Sequence, residues 1–153
     1  MKFLLILLAL LLPSAALAQN QVALNSEVFV ERAVRNADGT SRVALETPGV
    51  VTPGDPLVFV LRYRNNGSAP AADFVVTNPI PDSVSFTGSE SAGAVYSVDG
   101  GRSWGTLAQL SVRNADGSSR PAALADVTHV RWRLASAIPA GAEGELRFRG
   151  VVK

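Results

Sequence analysis

The sequence predicts an all-β sandwich, and three observations carry that prediction. Gly, Pro, Asn and Asp punctuate the chain about every eight to twelve residues. Between them stand short runs rich in Val, Phe, Tyr and Trp in which apolar and polar residues alternate, the pattern of a strand with one buried face. Beyond the first 18 residues, no window of helical length shows a helical apolar period. About seven to nine antiparallel strands are expected.

The first segment stands apart. Met1-Lys2 precedes an apolar run from Phe3 to Leu12, then Pro13 and Ala16-Leu17-Ala18 before Gln19. That order reads as a secretory signal peptide over residues 1–18 with an A-x-A cleavage site. Removing those 18 residues from 153 leaves 135, read as one domain over 19–153. A chain of this size buries about two thirds of its unfolded surface, enough for a core without covalent staples. Loss of Lys2 leaves 13 basic against 13 acidic residues. A neutral product lacks the broad field that draws proteins to nucleic acid, so no nucleic-acid partner is expected. The absence of cysteine excludes disulfides, thiol catalysis and thiolate metal sites. With one histidine, His129, no metal or other cofactor is expected. The mature chain holds no apolar stretch long enough to span a membrane, so a periplasmic, secreted or cell-surface location is expected.

The strands read as follows. Val28 to Val34 and Arg42 to Glu46 flank Asn36-Ala37-Asp38-Gly39, where Asp38-Gly39 favours a hairpin turn. Leu57 to Arg64 follows the Thr52-Pro53-Gly54-Asp55-Pro56 loop, and its first half is apolar on both faces, as in a central, covered strand. Phe74 to Thr77 and Val84 to Thr87 come next, then Val95 to Val98 and Trp104 to Leu107 around Asp99-Gly100-Gly101. Leu110 to Arg113, Val127 to Leu134 and Glu145 to Val152 complete the set. Asn20 to Ser26 is only weakly apolar and reads as a flexible terminus; as a free arm it would also suit strand donation between subunits. Val34 to Arg42 recurs almost unchanged as Val112 to Arg120, one turn used twice rather than a repeat architecture.

Three segments form an ordered series: Gly54-Asp55-Pro56-Leu57-Val58-Phe59, Tyr63-Arg64-Asn65-Asn66-Gly67-Ser68-Ala69-Pro70-Ala71, and Val75-Val76-Thr77-Asn78-Pro79-Ile80-Pro81. This series resembles the extracellular Ig-like conserved repeat domain of bacteria and archaea, the domain-of-unknown-function-eleven family. Ile138-Pro139-Ala140-Gly141 before the last strand looks like the family's end, and the likeness runs from about Val50 to Val152. Asn78 stands where the family more often has Asp, and the chain has room for a single copy. The resemblance implies an Ig-like sandwich used as a surface or secreted building block, with no catalytic residues to carry over.

Four features offer themselves as sites. Ser97, Asp99, Gly101 and Trp104 fit an Asp-box turn, in which Asp99 accepts from backbone across the turn and Trp104 plugs the core. The pattern aliphatic-Arg-aromatic-Arg occurs three times, placing Arg62, Arg64, Arg131, Arg133, Arg147 and Arg149 outward while Tyr63, Trp132 and Phe148 enter the core. Glu27, Glu31, Glu143 and Glu145 are near enough in the pattern to oppose those arginines. Read functionally, the six arginines form a cationic strip for an anionic polysaccharide, a headgroup or an acidic subunit; read structurally, they are a solvated sheet face. His129 falls on the arginine side, and no G-x-S-x-G elbow accompanies it. Asp73, Asp82 and Glu90 show no ligand-like spacing.

These readings favour a non-enzymatic exported structural or interaction module, partnered by another protein or by like subunits at the cell envelope. A carbohydrate-binding module using Trp104, Trp132 and the arginines is the alternative, and a small hydrolase comes last. The leader makes a direct prediction: the exported protein begins at Gln19, and intact-mass spectrometry of the secreted or periplasmic product finds that terminus.

Overall fold

The computed structural model describes residues 21–153, so the signal peptide lies outside the described residues. Ten strands occur in chain order: β1 (Val22–Arg35), β2 (Ser41–Glu46), β3 (Pro56–Asn65), β4 (Val75–Pro79), β5 (Val84–Ser89), β6 (Ala94–Ser97), β7 (Ser111–Arg113), β8 (Ser119–Pro121), β9 (His129–Arg133) and β10 (Glu143–Val152). Two sheets form an all-β sandwich, five strands in the order β2-β1-β3-β10-β5 and three in the order β4-β9-β6. All pairings are antiparallel, and β7 and β8 make a separate hairpin.

The core follows from period-two alternation. Leu57, Phe59 and Leu61 of β3, Leu146 and Phe148 of β10, and Val84 and Phe86 of β5 face Val76 of β4 and Val130 and Trp132 of β9. Phe148 and Val130 are fully buried and Trp132 is 1% exposed. Phe148 stacks on its cross-strand partner Phe59 with centroids 4.4 Å apart, while Phe86 and Trp132 lie tilted at 6.1 and 6.2 Å. Tyr63 sits half-buried at the end of this core against Phe74. Its ring lies over Gly144, the opposite residue on β10, where any Cβ would collide with it.

The motifs of the ordered series are corners that stitch distant segments. Gly54 N–H donates to Val152 O at 2.9 Å, and Val152 N–H returns to Asp55 O at 3.0 Å. The Asp55 carboxylate holds Arg32 of β1 at 2.8 Å and accepts from Thr52 N–H at 2.9 Å. Asn65, 1% exposed, donates through Nδ2 to Ala69 O and Ile138 O and accepts from Gly67 N–H through Oδ1. A buried amide is tolerable because it is fully bonded, and here it joins the end of β3 to the Ile138 loop.

The structure departs from the sequence reading in three places. Trp104 to Leu107 is not a strand: Gly105 makes a single bridge to Tyr96, and a 3-10 turn covers Leu107–Gln109. Trp104 folds back to bond the Asp99 turn, which leaves too little chain for a ladder. Ser119–Pro121 is a strand, held opposite Ser111–Arg113 by the second copy of the duplicated turn. In both copies the Asp carboxylate accepts from the backbone N–H two residues on at 2.9 Å, and the next Gly has positive φ. Finally, Val22 to Ser26 is no flexible arm but the first part of β1, paired with Leu61 to Asn65.

The aromatic cluster sets the scale of the core energetics. Phe148→Ala is expected to cost about 3–5 kcal/mol, whereas Val43→Ala, at a position 65% exposed, stays within about 0.5 kcal/mol. Urea unfolding followed by Trp132 fluorescence measures both.

Candidate interaction surface

Four of the six arginines meet on the outer face of the five-stranded sheet. Register places Arg62 opposite Glu145 and Arg64 opposite Glu143, so unlike charges face each other across β3 and β10. Arg62 binds Glu27 and lies 3.4 Å from Glu145; Arg64 lies 3.4 Å from Glu143. Arg147 binds Glu145 at 2.5 Å, and Arg149 binds Glu31 at 2.5 Å together with Glu90. The carboxylates of Glu31 and Glu90 raise the Arg149 pKa further above its ordinary value. Each of these four arginines is thus engaged by glutamates.

The other two arginines stand on the opposite side of the sandwich. Arg131 and Arg133 project from β9 on the outer face of the three-stranded sheet. Arg131 donates to Thr77 Oγ1 at 3.0 Å, and Arg133 lies 3.6 Å from Asp73. The six arginines therefore form no single strip, because β9 belongs to a different sheet from β3 and β10.

Beside Arg131 lies the Asp-box turn. Asp99 accepts from the N–H groups of Arg102 and Ser103 at 3.0 and 2.9 Å and from the Ser103 hydroxyl at 2.6 Å. Ser97, fully buried, donates its hydroxyl to Asp99 and accepts from Gly101 N–H at 2.8 Å. Gly100 and Gly101 have φ of 77° and 87°, the left-handed region this turn demands. Trp104 donates from Nε1 to Gly101 O at 2.9 Å and lies 3.6 Å beneath the Arg131 guanidinium, a cation–π contact. It is half-buried and outside the aromatic core, so it plugs the turn instead of the sandwich. His129 meets its edge and lies 3.1 Å from Thr128 Oγ1. Trp132 is enclosed between the sheets and has no surface to offer a sugar.

Sequence patterning missed one open edge, the free side of the first part of β1. Asn66 N–H donates to Gln21 O, and Asn36 N–H donates to Thr40 O, each at 2.8 Å. Because backbone groups alternate sides along an antiparallel strand, odd-numbered residues of β1 bond β3 and even-numbered ones point the other way. β2 takes up that second side only from Val30 to Arg35. The outward N–H and C=O groups of Val22, Leu24, Ser26 and Val28 have no strand partner among the described residues. Beside this edge, a groove of about 570 Å³ is lined by Ala23, Leu24, Asn25, Arg62, Tyr63, Arg64 and the Glu143 to Glu145 segment.

Comparison of the chain with family models, curated proteins and solved structures finds no match in any of the three.

The Asp99 network makes stability pH-dependent. Hydrogen bonds from the Ser103 hydroxyl, Ser103 N–H and the Ser97 hydroxyl hold its carboxyl well below the usual carboxylate range. A lowered folded-state pKa adds stability above the unfolded value, near about pH 4, and loses it as the pH falls towards the folded value. Asp99→Asn is therefore less stable than the wild type at neutral pH, and the two melting curves converge as the pH drops below about 4. Thermal melts by circular dichroism across that range measure the convergence.

Proposed function

We propose that this chain is a non-enzymatic, exported sandwich module that acts through its sheet surfaces on protein partners, or on copies of itself, at the cell envelope. The unguarded edge of β1 carries this reading. Proteins that remain monomeric interrupt exposed edges with Lys, Pro, bulges or very short strands, and Val22 to Phe29 has none of these. Its one charge, Glu27, is engaged by Arg62. The leader over residues 1–18 supports export. The corner motifs at Gly54-Asp55, Asn65 and Ile138 to Gly141 support membership of the conserved repeat domain family, where sandwiches of this kind serve as surface building blocks.

An anionic-ligand or carbohydrate module has weaker support. The arginines it would use on β3 and β10 are matched by glutamates, and one face of Trp104 is occupied by Arg131. Light scattering of the mature form, combined with co-sedimentation on purified envelope fractions, tests the proposal. Self-association or retention on the envelope is the expected result. A strict monomer that remains in the supernatant overturns it.

A further inference from the structure

We infer that the free edge of β1 pairs with the same edge of a second copy, antiparallel about a two-fold axis at Asn25, joining two five-stranded sheets into one. This rests on the interaction-module reading and names its partner. Three observations single out a second copy.

The first is hydrogen-bond parity. Val22, Leu24, Ser26 and Val28 all direct N–H and C=O away from β3. An antiparallel copy satisfies them when Val22 meets Val28 and Leu24 meets Ser26 of the other chain. Sliding the copy by two residues in either direction sets one of the four against Val30, already paired with Glu46, or beyond the start of β1. The register with position 25 facing itself is the one that engages all four.

The second is face matching. In that register Val22 packs against Val28 of the second copy on the inner face, and Leu24, 47% exposed in the single chain, gains cover beside Ser26. The third is charge. Glu27 comes opposite Ala23 of the second copy, whereas a slide of four residues would set Glu27 against itself. Ala23 is small and lies beside Arg64 in the β1–β3 register, so Arg64 reaches over it towards Glu27 of the second copy. Arg64 is suited to this: its side chain is 59% exposed and meets Glu143 only at 3.4 Å. The groove of about 570 Å³ lined by Ala23, Leu24 and Asn25 borders the joint, and the ladder of unlike charges on the outer face continues across it.

Cysteine mapping tests the pairing cleanly, because the chain has no cysteine of its own. Directly opposed, non-hydrogen-bonded residues lie about 4.5 Å apart at Cα, within disulfide reach. Asn25→Cys in the mature protein is expected to form a covalent dimer under mild oxidation, while Ala23→Cys alone, displaced by four residues from its own copy, is not. Ser26→Pro removes an outward N–H without touching the β1–β3 ladder. It is expected to raise the dimer dissociation constant in sedimentation velocity by roughly tenfold or more, two hydrogen bonds being lost per dimer. An unchanged circular dichroism spectrum verifies its fold. A wild type that stays monomeric at millimolar concentration, or a dimer in which Asn25→Cys fails to cross-link, overturns the inference. A dimer joined elsewhere leaves the module reading standing; for a strict monomer, retention on envelope fractions preserves that reading and its absence removes both.

Discussion

Phe148 meets Phe59 ring to ring at 4.4 Å across the ladder between β3 and β10, and Phe86 and Trp132 close around the pair. The stack couples the central strand of the larger sheet to its neighbour β10 through two residues more than eighty positions apart in sequence. Its burial removes large apolar rings from water, and its geometry permits one register alone. A slip of one residue would turn Phe148 outward and Arg147 or Arg149 into the core. The alignment of everything outside follows from this pair.

The outer face shows that dependence. Once Phe148 sits opposite Phe59, Glu145 must face Arg62 and Glu143 must face Arg64. Exposed ion pairs of this kind each contribute only about 0–1 kcal/mol, so the array adds little to stability. It helps specify alignment, because a slip of two residues in one direction would set Arg147 against Arg62. The arginines have a second use. Val58 and Val60 lie on this outer face yet are each 1% exposed. They stand opposite Arg149 and Arg147 of β10 and opposite Phe29 and Glu27 of β1. The aliphatic stems of the arginines cover the valines while the guanidinium groups stay in water.

Much of this was readable from residue order, since alternation is a local property. Leu61-Arg62-Tyr63-Arg64, Val130-Arg131-Trp132-Arg133 and Leu146-Arg147-Phe148-Arg149 each assign every side chain to the correct face. The covered, central character of β3 was legible from Leu57 to Leu61 for the same reason, although side chains of its own sheet supply the cover. Pairing between distant segments is not local. Nothing near Arg131 in sequence reveals that β9 lies in the other sheet from β3 and β10, and so the six arginines read as one strip. Val22 to Ser26 has weak strand propensity and gains its conformation from β3. Ser119–Pro121 contains a residue that breaks ladders and is held instead by its turn. The free edge of β1 is a property of which strands end where, and β2 stopping at Glu46 leaves no mark near Val22.

One topological fact bears on how such a molecule is made. The last of the ten described strands in chain order, Glu143–Val152, occupies an interior position between β3 and β5. Until it arrives, Phe59 lacks its stacking partner, and the corner at Gly54-Asp55 has no Val152 to bind. The larger sheet therefore cannot lock its framework until the whole span from β3 to β10 has been made. Before β10 docks, the preceding segments can assemble at most the β2-β1-β3 part of the larger sheet, and β5 is left without its one neighbour there.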